Sequence, residues 1–438
     1  MTMLRGCLRS VATNRAPTGR ERFPHPNWTA SSPARLGQGL LVHTLRVLAP
    51  FDRRHRAVPV AALGFVLILV GACRVIGPSP LPPGAQSPTG ADSDPFGDLA
   101  TDSDSGLDTG SSFVPSQRGG APGVWIASQG TLVFFGGMLP ITADTLQFDA
   151  AARAWAELST ASGIAGPGAR CHHTLVSDGG AENIFMFGGF SFFGRFNDTW
   201  RYDADAARWT LVEATGSVPA KRCLHSAAYV TSRQEMLVYG GISGAGVSSD
   251  DFFADTHILD LHDGEWSLLG AAGPGKLAGA VTVYASNDDA VYLWGGKQVD
   301  TYPSTLWRFD VQTRVWEQIE TTGDLPRGRE DPTYFWDDQQ ATLYVFTGRN
   351  DTTSEVLLDD AYALDVAARQ WRPLDTSGAP APRWRGTVVF DPDSSVGYLF
   401  GGWRDFGGLE AFNDTWRYDP ATNEWTEVTG GGVNARTR

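Results

Sequence analysis

The sequence predicts an all-β fold, a propeller of six blades over residues 118–438, preceded by an N-terminal leader and linker that are disordered. Two repeated patterns support this prediction. A hydrophobic run that ends in a glycine pair recurs about every 50 residues, and an Asp followed six residues later by Trp recurs with it. The 51 Gly and 26 Pro residues suit a chain dense in turns, and the 15 Trp residues can build a large core.

The glycine pair marks the end of an apolar strand in each blade. The second glycines are Gly137, Gly189, Gly241, Gly296, Gly348 and Gly402, with spacings of 52, 52, 55, 52 and 54 residues. In the fifth copy Thr347 replaces the first glycine. The apolar runs before the pairs are short and uninterrupted, as expected of strands buried on both faces. Glycine then lets the chain leave the strand through a positive φ angle.

The Asp and the Trp of the second pattern flank a hairpin turn between the third and fourth strands. The pairs are Asp149/Trp155, Asp203/Trp209, Asp260/Trp266, Asp310/Trp316, Asp365/Trp371 and Asp419/Trp425. The Asp side chain can accept backbone N–H groups within the turn, and the Trp can pack as an apolar plate between blades. A single blade cannot bury both of its faces, so the blades must stack into a ring.

The combination of both patterns resembles the kelch repeat and covers residues 118–428. The sequence departs from the pattern at Thr347, and at Leu146, His257 and Tyr362, where the other blades have Trp. Blade 1 has its own inner strand near Val124, and blade 6 ends with its own outer strand near Trp425. We therefore expect each blade to form from one contiguous segment. The tail after Gly430 resembles the start of a linker that crosses to blade 1.

Residues 1–72 are predicted to be a basic leader that ends in a signal peptide. An uncharged apolar run of 16 residues, 57–72, follows Arg53, Arg54 and Arg56, which is the pattern of a secretory signal. The run is short for a transmembrane helix. Val70 to Cys73 resembles a bacterial lipobox, and this resemblance implies cleavage before Cys73 and lipidation of its thiol. The alternative is an uncleaved N-terminal anchor.

Residues 73–117 are predicted to be a flexible acidic linker behind the lipidated Cys73. They are rich in Pro, Gly, Ser, Thr and Asp and cannot bury enough apolar surface to fold. Arg74, rather than an inner-membrane Asp signal, follows the Cys, so we expect an exported lipoprotein at the outer membrane or cell surface. The net charge of -14 argues against a nucleic-acid partner.

Strand parity places the loops between second and third strands on the same face as the connections between blades. A column of cations, one per blade, lies 18 or 19 residues before the first position of each glycine pair: Arg118, Arg170, Arg222, Lys276, Arg329 and Arg383. With loop aromatics such as Phe192, Phe193 and Trp403, they predict a mouth for a protein or glycan ligand. The alternative is structural, because an Asp precedes the third strand of five blades and could pair with these cations.

The remaining candidates are histidines and cysteines on two adjacent inner strands. His172, His173 and His225 could approach a metal, but no third fixed ligand is apparent, and we expect neither a metal nor another cofactor. Cys171 and Cys223 occupy matching positions and could form a disulfide outside the cytoplasm if their Cα atoms lie within about 7 Å.

The leading functional prediction is a non-enzymatic binding or scaffold module that is tethered to a membrane at the cell envelope. No nucleophilic triad, phosphate loop or carboxylate pair can be placed from the sequence. The alternative is a carbohydrate-active enzyme, because similar kelch propellers include a galactose oxidase and a sialic-acid mutarotase. A copper site would lack an assignable Tyr, and a mutarotase-like site would use Glu330 beside Arg329.

Overall fold

The computed structural model describes residues 113–158, 166–177, 183–270, 273–352, 356–405 and 410–429. The predicted signal peptide, Cys73, the predicted linker up to residue 112 and the tail from Gly430 lie outside the described residues. Within the described ranges the chain forms six four-stranded antiparallel sheets, each from one contiguous segment, so the predicted six-bladed propeller is confirmed. Among these residues no helix reaches the length and apolarity that crossing a bilayer requires.

The first three blades occupy the N-terminal half of the ring. The strands of blade 1 are Gly123–Ile126, Thr131–Phe135, Thr145–Asp149 and Ala154–Leu158. The strands of blade 2 are Thr174–Ser177, Asn183–Phe187, Thr199–Asp203 and Arg208–Leu211. The strands of blade 3 are Ser226–Val230, Glu235–Tyr239, Thr256–Asp260 and Glu265–Leu269.

The last three blades repeat this arrangement. The strands of blade 4 are Val281–Ala285, Ala290–Trp294, Leu306–Asp310 and Val315–Ile319. The strands of blade 5 are Thr333–Asp337, Thr342–Phe346, Ala361–Asp365 and Gln370–Pro373. The strands of blade 6 are Thr387–Asp391, Val396–Phe400, Thr415–Asp419 and Glu424–Thr429. The first strand of blade 1 contacts those of blades 2 and 6, which closes the ring.

Two linkers and two loops carry short elements in addition to these strands. Thr215–Gly216 pairs in parallel with the fourth strand of blade 3, and Thr322–Gly323 pairs in the same way with that of blade 5. A small hairpin, Phe190–Ser191 with Gly194–Arg195, projects from the second-to-third-strand loop of blade 2. A single turn of 3-10 helix, Ser249–Asp251, lies in the corresponding loop of blade 3.

The six repeated Trp residues seal the contacts between blades, as predicted. Each packs on the aromatic residue that ends the second strand of the preceding blade, and the set closes with Trp155 of blade 1 against Phe400 of blade 6, with ring centroids 4.4 Å apart. The other pairs are Trp209–Phe135, Trp266–Phe187, Trp316–Tyr239, Trp371–Trp294 and Trp425–Phe346. The repeated Asp accepts backbone N–H groups in its turn, for example from Ala152 to Asp149 at 2.7 Å.

Candidate functional site

The loops between second and third strands meet the connections between blades on one face of the ring, which we call the loop face. Isolated β-bridges join the two sets, for example Cys171 with Phe190 and Glu330 with Arg349. The turns between first and second strands lie at the other end of the first strands, on what we call the turn face. A channel of about 820 Å³ runs between these faces and is lined mainly by the six first strands.

Five of the six predicted mouth cations share one buried arrangement. The Arg170 guanidinium group donates to the carbonyl oxygens of Gly168 (3.0 Å) and Gly188 (2.9 Å) and to both carboxylate oxygens of Asp198 (2.6 and 2.8 Å). It also lies 4.0 Å from the centroid of the Phe196 ring. Corresponding contacts to a carbonyl oxygen of the glycine-pair turn and to an Asp are made by Arg118, Arg222, Arg329 and Arg383.

The main chains of the same five residues also form hydrogen bonds with neighbouring blades. The carbonyl oxygen of Arg170 accepts from Gly137 of blade 1, and the carbonyl oxygen of Arg118 accepts from Gly402 of blade 6, both at 2.9 Å. The five guanidinium groups are at most 3% exposed. These contacts match the structural alternative raised from the sequence. Ligand binding by the five arginines stays a prediction, and it would require their ion pairs to open.

The sixth predicted cation, Lys276, does not belong to this column. The carbonyl oxygen of Leu277 accepts from Gly241, so Leu277 occupies the column position of blade 4. Lys276 is half-exposed and donates to the carbonyl oxygen of Ser249 at 2.7 Å. Blade 4 has also lost the Asp partner, because Thr305 precedes its third strand where other blades have Asp. The Arg and the Asp are therefore absent from the same blade.

Trp403 was predicted to line an open mouth, but it is 3% exposed and lies in a small apolar cluster with Trp384 and Ala411. Its ring meets that of Trp384 edge-on, with centroids 5.2 Å apart. The side chain of Arg385 covers both rings, at 4.3 Å from Trp384 and 5.6 Å from Trp403. Trp403 is therefore part of the apolar packing beneath the loop face.

A closed ring of backbone hydrogen bonds surrounds the loop-face end of the channel. Six residues, each two positions after a column residue, donate in turn to the next carbonyl oxygen at 2.9–3.0 Å. They are Gly120, His172, Leu224, Gly279, Asp331 and Arg385, and all six have positive φ angles. This ring is not predicted from the sequence. Its main signal is the constant spacing from the column, since Leu224 and Arg385 are not residue types that favour a positive φ.

The charged side chains of this ring are already engaged. Arg385 donates to Asp331 at 2.7 Å and to His172 Nε2 at 2.9 Å. Burial and the neighbouring Arg385 charge hold the pKa of His172 well below its ordinary value, so this imidazole accepts as a neutral group. The charged side chains of the ring are therefore paired with one another.

Glu330, the carboxylate predicted for a mutarotase-like site, lies in a cluster between blades 4 and 5. One of its oxygens is 3.2 Å from Arg349 and 3.5 Å from the Tyr302 hydroxyl, which also donates to Asp351 at 2.7 Å. Burial, and then the charge of Asp331, raises the pKa of Glu330. The cluster brings a carboxylate next to cations, as the prediction required, and its charges are internally paired.

The candidate metal-binding histidines do not converge. The described residues contain no group of three or more His, Cys, Asp or Glu side chains that could hold a metal ion. His225 Nε2 lies 2.9 Å from the Thr174 hydroxyl, and the His173 ring packs edge-on against Phe135 with centroids 5.6 Å apart. Both histidines are buried, one residue before the first strands of blades 2 and 3.

These histidines predict a pH dependence of stability. Burial, and then the Arg222 charge, lowers the pKa of His225 to about 3. The unfolded chain therefore binds more protons than the folded chain between about pH 6.5 and 3, and stability falls as pH falls through this window. Between about pH 7.5 and pH 5 one such group costs about 2 kcal/mol. In urea unfolding across this range, H225Q should remove that loss, whereas H262Q, at an exposed position, should retain it. An unchanged pH slope in H225Q would contradict the assignment.

Cys171 and Cys223 are free, buried thiols in the structure, whereas the sequence left a disulfide between them possible. The Cys171 Sγ contacts Met138 Sδ at 3.8 Å and the Phe190 carbonyl oxygen at 3.7 Å. Burial raises the pKa of Cys171 to about 12. Each thiol serves as a small apolar side chain beneath the loop of its own blade.

Among the described residues of the loop face, the hairpin of blade 2 carries the most exposed aromatic side chains. Phe193, at its tip, is fully exposed, and Phe192 is 65% exposed. The base of the hairpin is anchored, because Ser191 is buried and Phe190 pairs with Cys171. Arg195 donates to the carbonyl oxygen of Gly244, which joins the hairpin to the corresponding loop of blade 3. In that loop Val247 is also exposed.

Each of the six four-stranded blades has a glycine-pair turn that hydrogen-bonds to the neighbouring blade and a Trp that packs between blades. These features define a propeller of the kelch class. The model of the KLHDC2/KLHL20/DRC7 Kelch-repeats domain matches residues 97–287 and 279–438, and the chain belongs to this kelch-repeat family.

Curated relatives match over part of their length. Kelch domain-containing protein 10 of Xenopus tropicalis is 26% identical over 285 residues, which is 60% of this chain and 65% of that protein. The human protein of the same name is 25% identical over 285 residues and is covered to 61%. Kelch domain-containing protein 3 of Bos taurus is 26% identical over 245 residues, which is 53% of this chain and 60% of that protein. The chain therefore spans less than two thirds of these relatives.

Proposed function

We propose that this propeller is a protein-binding module that holds a segment of a partner protein on its loop face. The observation that carries the proposal is the exposed pair Phe192 and Phe193 at the tip of an anchored hairpin. Aromatic side chains held in water by an ordered base are typical of binding surfaces, because they supply large apolar contact area at a small cost in conformational entropy. Val247 of the neighbouring loop extends this apolar surface.

The buried arginine column plays a supporting part in this proposal. It fixes the glycine-pair turns from which the loops emerge, so the loops can differ in length and sequence while their bases stay rigid. A protein segment is favoured over a glycan because the exposed residues at the hairpin tip are apolar. Glycan binding, and the carbohydrate-active alternative at Glu330, would instead draw on the charged cluster between blades 4 and 5.

The variant F192A/F193A tests this proposal. We expect at least tenfold weaker binding of the partner, since two exposed aromatic anchors of an interface each contribute more than about 1 kcal/mol. The measurement is quantitative capture from envelope extracts, followed by titration of the identified partner. V315A is a matched control, because Val315 is exposed at the start of the fourth strand of blade 4, at the end of the strand opposite the loop face.

Equal capture by F192A/F193A, or equal loss in V315A, would contradict a loop-face site. Capture that is abolished by deglycosylating the extract would identify a glycan as the ligand and would contradict the choice of a protein segment.

Export and membrane tethering belong to the same proposal and rest on the sequence alone. The apolar run 57–72 and the lipobox-like Val70 to Cys73 support cleavage and lipidation at Cys73, which would display the propeller at the cell envelope behind its acidic linker. The variant C73S should move the protein from the membrane fraction to the soluble fraction. Continued membrane retention of C73S would count against lipidation.

A further inference from the structure

The turn-face end of the channel carries a collar of aromatic side chains that the loop-face site does not use. Seven residues after the column position, five of the six blades place an aromatic residue in the channel lining, and blade 2 places Ser177 there. These residues, which we call the aromatic collar, are Trp125, Tyr229, Tyr284, Trp336 and Phe390. They stand at one level because they occupy the same register position of their strands.

Two members of the aromatic collar donate hydrogen bonds to carboxylates. The Tyr284 hydroxyl donates to Asp289 at 3.0 Å, and Trp336 Nε1 donates to Asp338 at 2.9 Å. Asp338 also accepts from the backbone N–H of Ser286 at 2.9 Å, which fixes its position across the boundary between blades 4 and 5. A carboxylate at the polar edge of an aromatic ring increases the negative charge on the face of that ring, and this strengthens its attraction for a cation.

The charge along the channel favours a cation at the collar. Among the described residues that line the channel, the charged ones are Asp331, Asp338 and Arg385. Arg385 and Asp331 pair with each other at the loop-face end. Asp338 therefore sets the charge of the turn-face end. Near this end, Arg308 of the third strand of blade 4 pairs with Asp288 at 2.7 Å, and Arg233 of the blade 3 turn donates to Gln312 at 2.7 Å.

From these contacts we propose that the aromatic collar binds an organic cation of the methylated ammonium class. Cation–π contacts to the ring faces and the charge of Asp338 hold the ligand. A methylated ammonium group fits this site better than a bare ammonium or a metal ion, because its diffuse charge is weakly hydrated and its methyl groups pack on aromatic faces. The channel volume lies in the range of small-ligand sites. The collar lies on the face opposite the hairpin, so this site is independent of the loop-face partner.

Choline and its neutral carbon isostere 3,3-dimethylbutan-1-ol provide the direct test. The full chain is titrated with each compound by ligand-observed NMR. We expect saturable choline binding in the millimolar range and at least tenfold weaker binding of the isostere, since only the charge differs. A peptide that contains one trimethyllysine distinguishes the source of the cation: binding tighter than choline indicates a modified protein, and weaker binding indicates a free small molecule. Equal binding of choline and its isostere, or no saturation by any of the three probes, would overturn the proposal.

Variants locate the site. D338N keeps the shape of the side chain but removes its charge, and we expect at least threefold weaker choline binding. D393N is the matched control, because Asp393 is an exposed carboxylate in the corresponding turn of blade 6, outside the channel lining. A second variant, W336L, removes one collar ring and should weaken choline binding at least tenfold. Its thermal midpoint is measured beside that of the parent chain, so that unfolding is distinguished from loss of the site. Equal binding by D338N, D393N and the parent chain would contradict a role for Asp338, and unchanged binding by W336L would contradict the collar.

Discussion

Replacing Arg170 by Leu is expected to lower the free energy of unfolding by about 3–5 kcal/mol, because it leaves a partly buried Asp198 without its ion-pair partner. The substitution also removes the donors to the carbonyl oxygens of Gly168 and Gly188. Burial by itself would raise the pKa of Asp198, but the hydrogen bonds and the charge of Arg170 hold it below the ordinary value. Urea unfolding of R170L and the parent chain measures the loss.

The double variant R170L/D198T is the control that blade 4 suggests. Blade 4 has Leu277 at the column position and Thr305 in place of the Asp, so a blade of this family can stack without the ion pair. We expect the double variant to recover at least half of the loss in R170L, since neither charge remains buried alone. A loss below about 1 kcal/mol in R170L, or no recovery in the double variant, would contradict a structural role and would favour ligand binding by the column.

Replacing Trp155 by Ala is expected to cost about 3–5 kcal/mol, the range for removal of a fully packed Trp. Trp155 joins the first and last blades: its ring packs on Phe400, and its Nε1 donates to the Thr415 hydroxyl at 2.9 Å. The described residues of blades 1 and 6 share no sheet, so this boundary is held by packing of this kind together with backbone hydrogen bonds such as that from Gly402 to the Arg118 carbonyl oxygen. Denaturant unfolding and thermal unfolding of W155A measure the effect.

Two further variants separate packing from hydrogen bonding at this boundary. T415V removes only the acceptor of Trp155 Nε1 and should cost about 1 kcal/mol. W209A removes the equivalent plate between blades 1 and 2, where Trp209 donates to Thr145 at 2.9 Å. We expect W155A and W209A to destabilise by similar amounts, and hydrogen exchange should rise most in blades 1 and 6 for W155A. A W155A protein as stable as the parent would show that the ring does not depend on this contact.

The blade count and the contacts between blades were predictable because they rest on residues with one physical role. The glycine pairs require positive φ angles, and Gly136 shows why: a Cβ there would lie 2.3 Å from the Arg170 carbonyl oxygen. The turn Asp and the Trp six residues later fix a hairpin and the side chain that seals it. Contiguous blades followed from the presence of complete inner and outer strands at the two ends of the repeat region.

The site was less predictable, because spacing along the chain gives position and not the direction or burial of a side chain. The column arginines were located correctly, but their enclosure by Asp and carbonyl oxygens depends on contacts between distant loops. In blade 4 Lys276 was predicted because of its charge, whereas the backbone hydrogen bond from Gly241 places the neighbouring Leu277 at the column position. The backbone ring was not predicted because the positive φ angles of His172 and Arg385 depend on hydrogen bonds to the neighbouring members of the ring.

The most direct test of the account is hydrogen exchange of the propeller, measured by mass spectrometry, with and without the partner identified by capture. A loop-face partner should protect backbone amides of the hairpin 190–195 and of the blade 3 loop near Val247, and leave the turns between third and fourth strands unchanged. Protection confined to those outer turns, or to the turn face, would contradict the assignment of the loop face as the binding surface.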